Sequence, residues 1–149
     1  MKTKQILYKK CEAFLNRRFS VIQKTIDDIQ GALQSETKSS AGDKHETGRA
    51  MLQLEREKAR QQLAELQKLQ ETLHKIDVEM EHQNVALGSI VFTTKLNYFI
   101  AISAGEIEVE NRKFYAISAS TPIAKLLMSR QIGDAIKFRD IEFLIKAIK

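Results

Sequence analysis

The 149-residue sequence predicts an α+β protein. It reads as an N-terminal antiparallel α-helical coiled-coil hairpin over residues 1–86, followed over 87–149 by a small β-sheet domain with one short helix. Three observations carry that prediction. Two long stripes of apolar residues recur at helical spacing, a Ser, Thr, Lys and Gly-rich reversal separates them, and after Gly88 the pattern changes to short β-branched and aromatic runs.

The first stripe, Leu15, Ile22, Ile26, Ile29 and Leu33, advances by seven, four, three and four residues and so occupies one helix face. It predicts a helix from about Ile6 to about Glu36. The second stripe, Met51, Leu54, Ala59, Leu63, Leu66, Leu69, Leu73, Ile76 and Met80, contains neither proline nor glycine and predicts a second amphipathic helix of roughly eight turns. Both faces are narrow, and the economical way to bury them is against each other. The reversal falls in Ser35 to Gly42, which has no large apolar side chain.

Beyond Gly88 the runs Ser89–Thr94, Tyr98–Ile102, Lys113–Ile117, Ala135–Phe138 and Glu142–Ile145 predict the strands of a small antiparallel sheet. Ser120-Thr121-Pro122 places a hydroxyl cap before the only proline, a helix start for which proline is preorganised. Ile123, Ala124, Leu126 and Leu127 then give a short helix that covers one sheet face. Tyr98, Phe99, Lys125 and Arg130 are its candidate exposed contacts.

Charge and cysteine content narrow the function. The net charge is +5, and residues 1–38 hold eight basic side chains against four acidic ones, a bias that favours polyanionic partners or a solvated helix face. A single cysteine, Cys11, excludes an intramolecular disulfide and gives no zinc spacing; it reads as a packed side chain. No apolar run is long enough to span a membrane, no signal peptide is read at the N-terminus, and the chain is read as cytoplasmic with no membrane partner.

The chemistry concentrates between the helices, in Gly42-Asp43-Lys44-His45-Glu46. Asp43 and Glu46, at i and i+3, fall on one side of the turn entering the second helix. Two carboxylates are a poor magnesium site alone, because Mg²⁺ takes six oxygens and is usually held by one or two carboxylates with water and phosphate. They suit a site shared with a partner. The same spacing is also a capping box, with Asp43 as cap and Glu46 reaching back to its amide. His45 has no second His or Cys beside it and is not read as a zinc ligand, and His74 and His82 are read as solvated. Arg17, Arg18, Lys24, Arg49, Arg56, Lys58 and Arg60 form either a basic surface for RNA phosphates or the cationic halves of pairs four residues apart.

Ser120-Thr121-Pro122-Ile123-Ala124-Lys125-Leu126-Leu127, followed by Ile132-Gly133-Asp134-Ala135-Ile136, resembles the C-terminal signature of the Gre transcript cleavage factors. In that family a Ser-Pro-Ile-Ala helix start leads to a Gly-Asp turn and a final hairpin. The segment from Gly42 to Glu46 resembles the family's Gly-Asp-x-x-Glu tip, and the two matches stand in the right order over nearly the whole chain. The resemblance implies an FKBP-like C-terminal domain that docks on bacterial RNA polymerase and a hairpin that enters the secondary channel. Such a protein is an accessory factor, not an enzyme, and stimulates the polymerase's own cleavage of backtracked RNA. On this reading Asp43 and Glu46 are the catalytic carboxylates and transient ligands of a Mg²⁺ shared with the polymerase, with no cofactor bound by the chain alone. Arg17, Arg18, Lys44 and Arg49 then face the RNA 3′ segment or the polymerase.

Lys44 and Thr47 stand where the family carries Leu and Asn, and Gly48-Arg49-Ala50 where it carries an aromatic residue. Two alternatives stay open beside transcript cleavage: a non-cleaving regulator that occupies the secondary channel, and a coiled-coil scaffold. A monomer is expected, with a homodimer open because apolar helix faces also pair between chains. Isomerase activity is not expected despite the FKBP-like fold, since the chain has no Trp to floor a proline pocket.

Overall fold

A computed structural model describes the backbone of residues 2–38 and 43–149 and the side chains of residues 3–36 and 46–149. Two long helices, α1 (Lys2–Lys38) and α2 (Asp43–His74), precede six strands, β1 (Ile90–Thr93), β2 (Tyr98–Ala101), β3 (Gly105–Val109), β4 (Arg112–Ser118), β5 (Ala135–Phe138) and β6 (Ile141–Ile148), with a short helix, α3 (Pro122–Leu127), between β4 and β5. The fold is α+β, as the apolar periodicities predict. Residues form two compact units: Leu15–Leu69, and Met1–Phe14 together with Gln70–Lys149.

Within Leu15–Leu69 the helices run antiparallel. Ile29 and Leu33 of α1 pack with Ala59 of α2, flanked by Ile26 and Leu52. The α2 seam is Leu52, Arg56, Ala59, Leu63 and Leu66, whose steps of four, three, four and three keep one face turned to α1. Met51 and Leu54, assigned to the seam from sequence, are instead 59% and 72% exposed. Each residue turns the helix by about 100°, so Leu52 rather than its neighbour Met51 faces inward.

The second helix ends earlier than the apolar spacing predicts. Lys75 and Ile76 donate backbone N–H groups to Thr72 and Leu73 carbonyls at 3.2 and 3.1 Å, tightening the last turn in 3₁₀ fashion. Asp77 then accepts the Glu79 amide through Oδ1 at 2.9 Å, offering the backbone a turn in place of another helical bond. Ile76 is buried all the same, while Met80 is exposed.

The sheet order is β3-β4-β2-β1-β6-β5. One pairing departs from the expected antiparallel pattern, because β2 and β4 run parallel with Tyr98 opposite Tyr115 and Ile100 opposite Ile117. The cause is β3, which sequence patterning did not separate: the chain leaves β2, skips one place to form β3, and returns through a tight hairpin as β4 in the gap. Glu110 and Asn111 turn that hairpin with φ of 50° and 65°, the backbone sign that two-residue hairpin loops require.

Central placement makes β2 buried along its whole length. Tyr98 and Phe99 are 8% and 0% exposed, so neither is the surface contact expected from sequence. One sheet face carries Val91, Tyr98, Ile100, Phe143 and Ile145 packed with Ala124 and Leu127 of α3. Thr121 caps α3 as predicted, its Oγ1 accepting the Ala124 amide at 3.4 Å, with Pro122 in the first turn. Gly88 enters β1 at φ 91°, and a Cβ there would stand 2.9 Å from Ile76 Cγ2, so both its dihedral and its surroundings require glycine.

Candidate functional site

The turn end of the helix pair is built by α1 closing at Lys38 and α2 opening at Asp43. Asp43 and Glu46 therefore occupy the first turn of α2, one helical turn apart, where negative charge is favoured by the helix dipole. Glu46 is exposed. The side chains of Asp43, Lys44 and His45 lie outside the described residues, as does Gly42.

Just inside the turn, the helices are joined by polar contacts. Arg49 donates through Nη1 to the Leu33 carbonyl of α1 at 3.4 Å, and the Glu36 carboxylate lies beside Gly48, 3.5 Å from where a Cβ would stand. Arg49, a candidate contact to RNA or polymerase, is thus half-buried and bonded to α1. Its guanidinium serves the helix pairing.

Arg17 and Arg18 are exposed on α1. The 21 residues from Arg17 to Lys38 span about 30 Å of helix, so these arginines are not brought to the carboxylates. Lys24 pairs with Asp28 at 3.8 Å, the bland reading of a cation four residues from an acid. Lys125 on α3 and Arg130 just beyond it are exposed, with Arg130 Nε donating to the Leu126 carbonyl at 3.2 Å.

Among the described residues, no three His, Cys, Asp or Glu side chains come together as a metal site, and no helix is long and apolar enough to cross a membrane. Cys11 is buried, and that burial pushes its thiol pKa up to about 12, so the packed reading holds. His82 corrects the solvated reading: it is half-buried, with Nδ1 2.9 Å from Ser89 Oγ, which also accepts the Ala86 amide. Burial and then the Lys4 charge lower its pKa, against a backbone hydrogen bond at Lys149 that raises it.

Sequence reasoning missed a small cleft lined by Lys4, Arg112 and Lys149. These residues come from the start of α1, from β4 and from the position following β6, and no local spacing links them. Only the folded topology does.

No protein-family model matches the chain, and no curated protein matches it. Among solved structures it is similar to the GreA factor homolog 1 (Gfh1) protein of Thermus thermophilus, with 18% sequence identity, coverage of 91% of this chain and 92% of that one, and a TM-score of 0.36.

Proposed function

We propose that this chain is a transcription factor that docks on bacterial RNA polymerase and carries Asp43 and Glu46 through the secondary channel to the catalytic centre, where it stimulates cleavage of backtracked RNA. One observation supports the reading: Asp43 and Glu46 occupy positions i and i+3 in the opening turn of α2, where one of two antiparallel helices begins. The resemblance of that turn and of Ser120–Ile136 to the Gre pattern supplies the partner.

The donor set fits a shared metal and not a private one. Asp43 and Glu46 offer two carboxylates, and a six-oxygen Mg²⁺ shell needs the remainder from the polymerase, RNA and water. Magnesium held between these groups supplies Lewis-acid activation of the attacking water. The carboxylates themselves position that water and form no covalent intermediate. The chain lends groups to another protein's active centre, and its sheet domain holds the polymerase surface.

The tip residues also motivate a second reading. Lys44 lies between the carboxylates in sequence, and Gly48-Arg49-Ala50 replaces the aromatic residue of the Gre pattern. A channel occupant that regulates initiation or pausing without cleavage shares the docking and lacks the chemistry. Gel filtration with bacterial core RNA polymerase tests what the two readings share. Co-elution at stoichiometric amounts is expected; separate elution at micromolar concentrations, with the chain folded, overturns both and leaves the scaffold.

A further inference from the structure

A cleft of about 120 Å³ opens in the unit formed by Met1–Phe14 and Gln70–Lys149, lined among others by Thr3, Lys4, Glu81, Phe92, Arg112 and Lys149. We propose that it binds a small oxyanion, a phosphate or a phosphomonoester. This site is separate from the helix turn and does not rest on the polymerase reading.

Lys4 carries the first part of the argument. It is only 3% exposed, and its Nζ donates to the Met80 carbonyl at 2.7 Å. An ammonium has three donors, and a neutral carbonyl engages one of them. Burial lowers the Lys4 pKa, against Glu81 and Asp77, which raise it. A buried cation with spare donors beside an open cleft is a group that an anion stabilises.

The end of α1 adds to that demand. Its first turn has no acidic residue and holds Lys4, placing positive charge near the helix end that is already positive. A bound anion offsets the Lys4 charge and the positive end of the helix dipole.

Arg112 supplies a preorganised donor. Its guanidinium carbon lies 5.3 Å from the Phe92 ring centroid and 5.7 Å from that of Phe114, and the two rings meet edge to face at 5.8 Å. Rings hold the guanidinium in place while its in-plane N–H edge stays free for paired bonds to oxygen. Lys149 adds a third cation, against Glu81 in the lining and Asp77 near Lys4. A water needs about 10–15 Å³ of such space, so the cleft accommodates one tetrahedral oxyanion with a few waters. Three cationic side chains in one lining suit the four oxygens and charge near −2 of a phosphate better than the two oxygens and single charge of a carboxylate.

The test follows ¹H–¹⁵N spectra of the full chain during titration with inorganic phosphate and, separately, with ribose 5-phosphate, each against sodium chloride at matched ionic strength. Saturable shifts at Thr3, Lys4 and Arg112 are expected in at least one phosphate series and not with chloride; the series that saturates at lower concentration identifies free phosphate or the ester. Arg112→Gln is expected to weaken binding at least tenfold and Lys149→Gln severalfold, with Lys125→Gln unchanged and all circular dichroism spectra alike. Shifts that fail to saturate, that chloride reproduces, or that Arg112→Gln and Lys149→Gln both leave intact overturn the proposal.

Discussion

Arg49 on α2 donates to the Leu33 carbonyl on α1 at 3.4 Å, just inside the turn that presents Asp43 and Glu46. The residue that looks like a nucleic-acid contact is therefore part of the support for the acidic turn. Arg49→Ala is expected to lower unfolding stability by about 1 kcal/mol, a modest value for a long, half-buried hydrogen bond. Denaturant unfolding checks the size, and amide exchange in residues 46–52 should quicken with it. Unchanged exchange there would show that the bond does not hold the helix pair.

The corrected seam separates two leucines that look equivalent in sequence. Leu66 is 7% exposed and Leu54 72%. Leu66→Ala is expected to cost roughly 2–4 kcal/mol through lost burial and a residual cavity, whereas Leu54→Ala stays within about 0.5 kcal/mol. Equal losses in thermal or denaturant unfolding would contradict the assigned helix face.

Two glycines with positive φ make a second matched pair. Gly88 and Gly105 have φ of 91° and 80°, yet only at Gly88 does an added Cβ meet a neighbour, Ile76 Cγ2 at 2.9 Å. Both alanine variants carry the backbone penalty, of order 1 kcal/mol. Gly88→Ala is expected to exceed Gly105→Ala by a further ~1–2 kcal/mol of overpacking, read as the difference in unfolding midpoints at a common slope.

His82 gives the fold a mild-acid dependence. Its folded pKa lies below the ordinary 6.5, so the unfolded chain takes up the proton first as pH falls. The stability present above pH 6.5 is lost as pH drops through the folded value. As pH falls below 6.5, wild type should lose stability more steeply than His82→Gln in urea titrations. Parallel pH profiles would show that the Ser89-bonded imidazole titrates as it does in the unfolded chain.

Much of this fold is legible in sequence where local pattern and tertiary burial agree. The α1 stripe, the capped start of α3 and the strand at Ala135–Phe138 are of that kind. The alternation of Ile107 and Val109 with Glu106 and Glu108 was a strand signal too, but its turn, Glu110-Asn111, lacks the usual glycine. Without β3 the parallel β2 to β4 pairing could not be inferred. Tyr98 and Phe99 could not be placed inside because strand order, not local composition, puts β2 at the centre. At the site, the spacing of Asp43 and Glu46 was readable, since one helical turn fixes it. The bond from Arg49 to Leu33 and the convergence of Lys4, Arg112 and Lys149 depend on contacts between distant segments.

The central claim is that Asp43 and Glu46 act inside a polymerase. The most direct measurement follows RNA length in a stalled, backtracked elongation complex of bacterial RNA polymerase with Mg²⁺, adding wild type, Asp43→Ala or Glu46→Ala. The account predicts that wild type shortens the RNA from its 3′ end, while each variant binds the polymerase equally and slows cleavage at least tenfold. No shortening by wild type, or shortening that both variants reproduce at the wild-type rate, would contradict it.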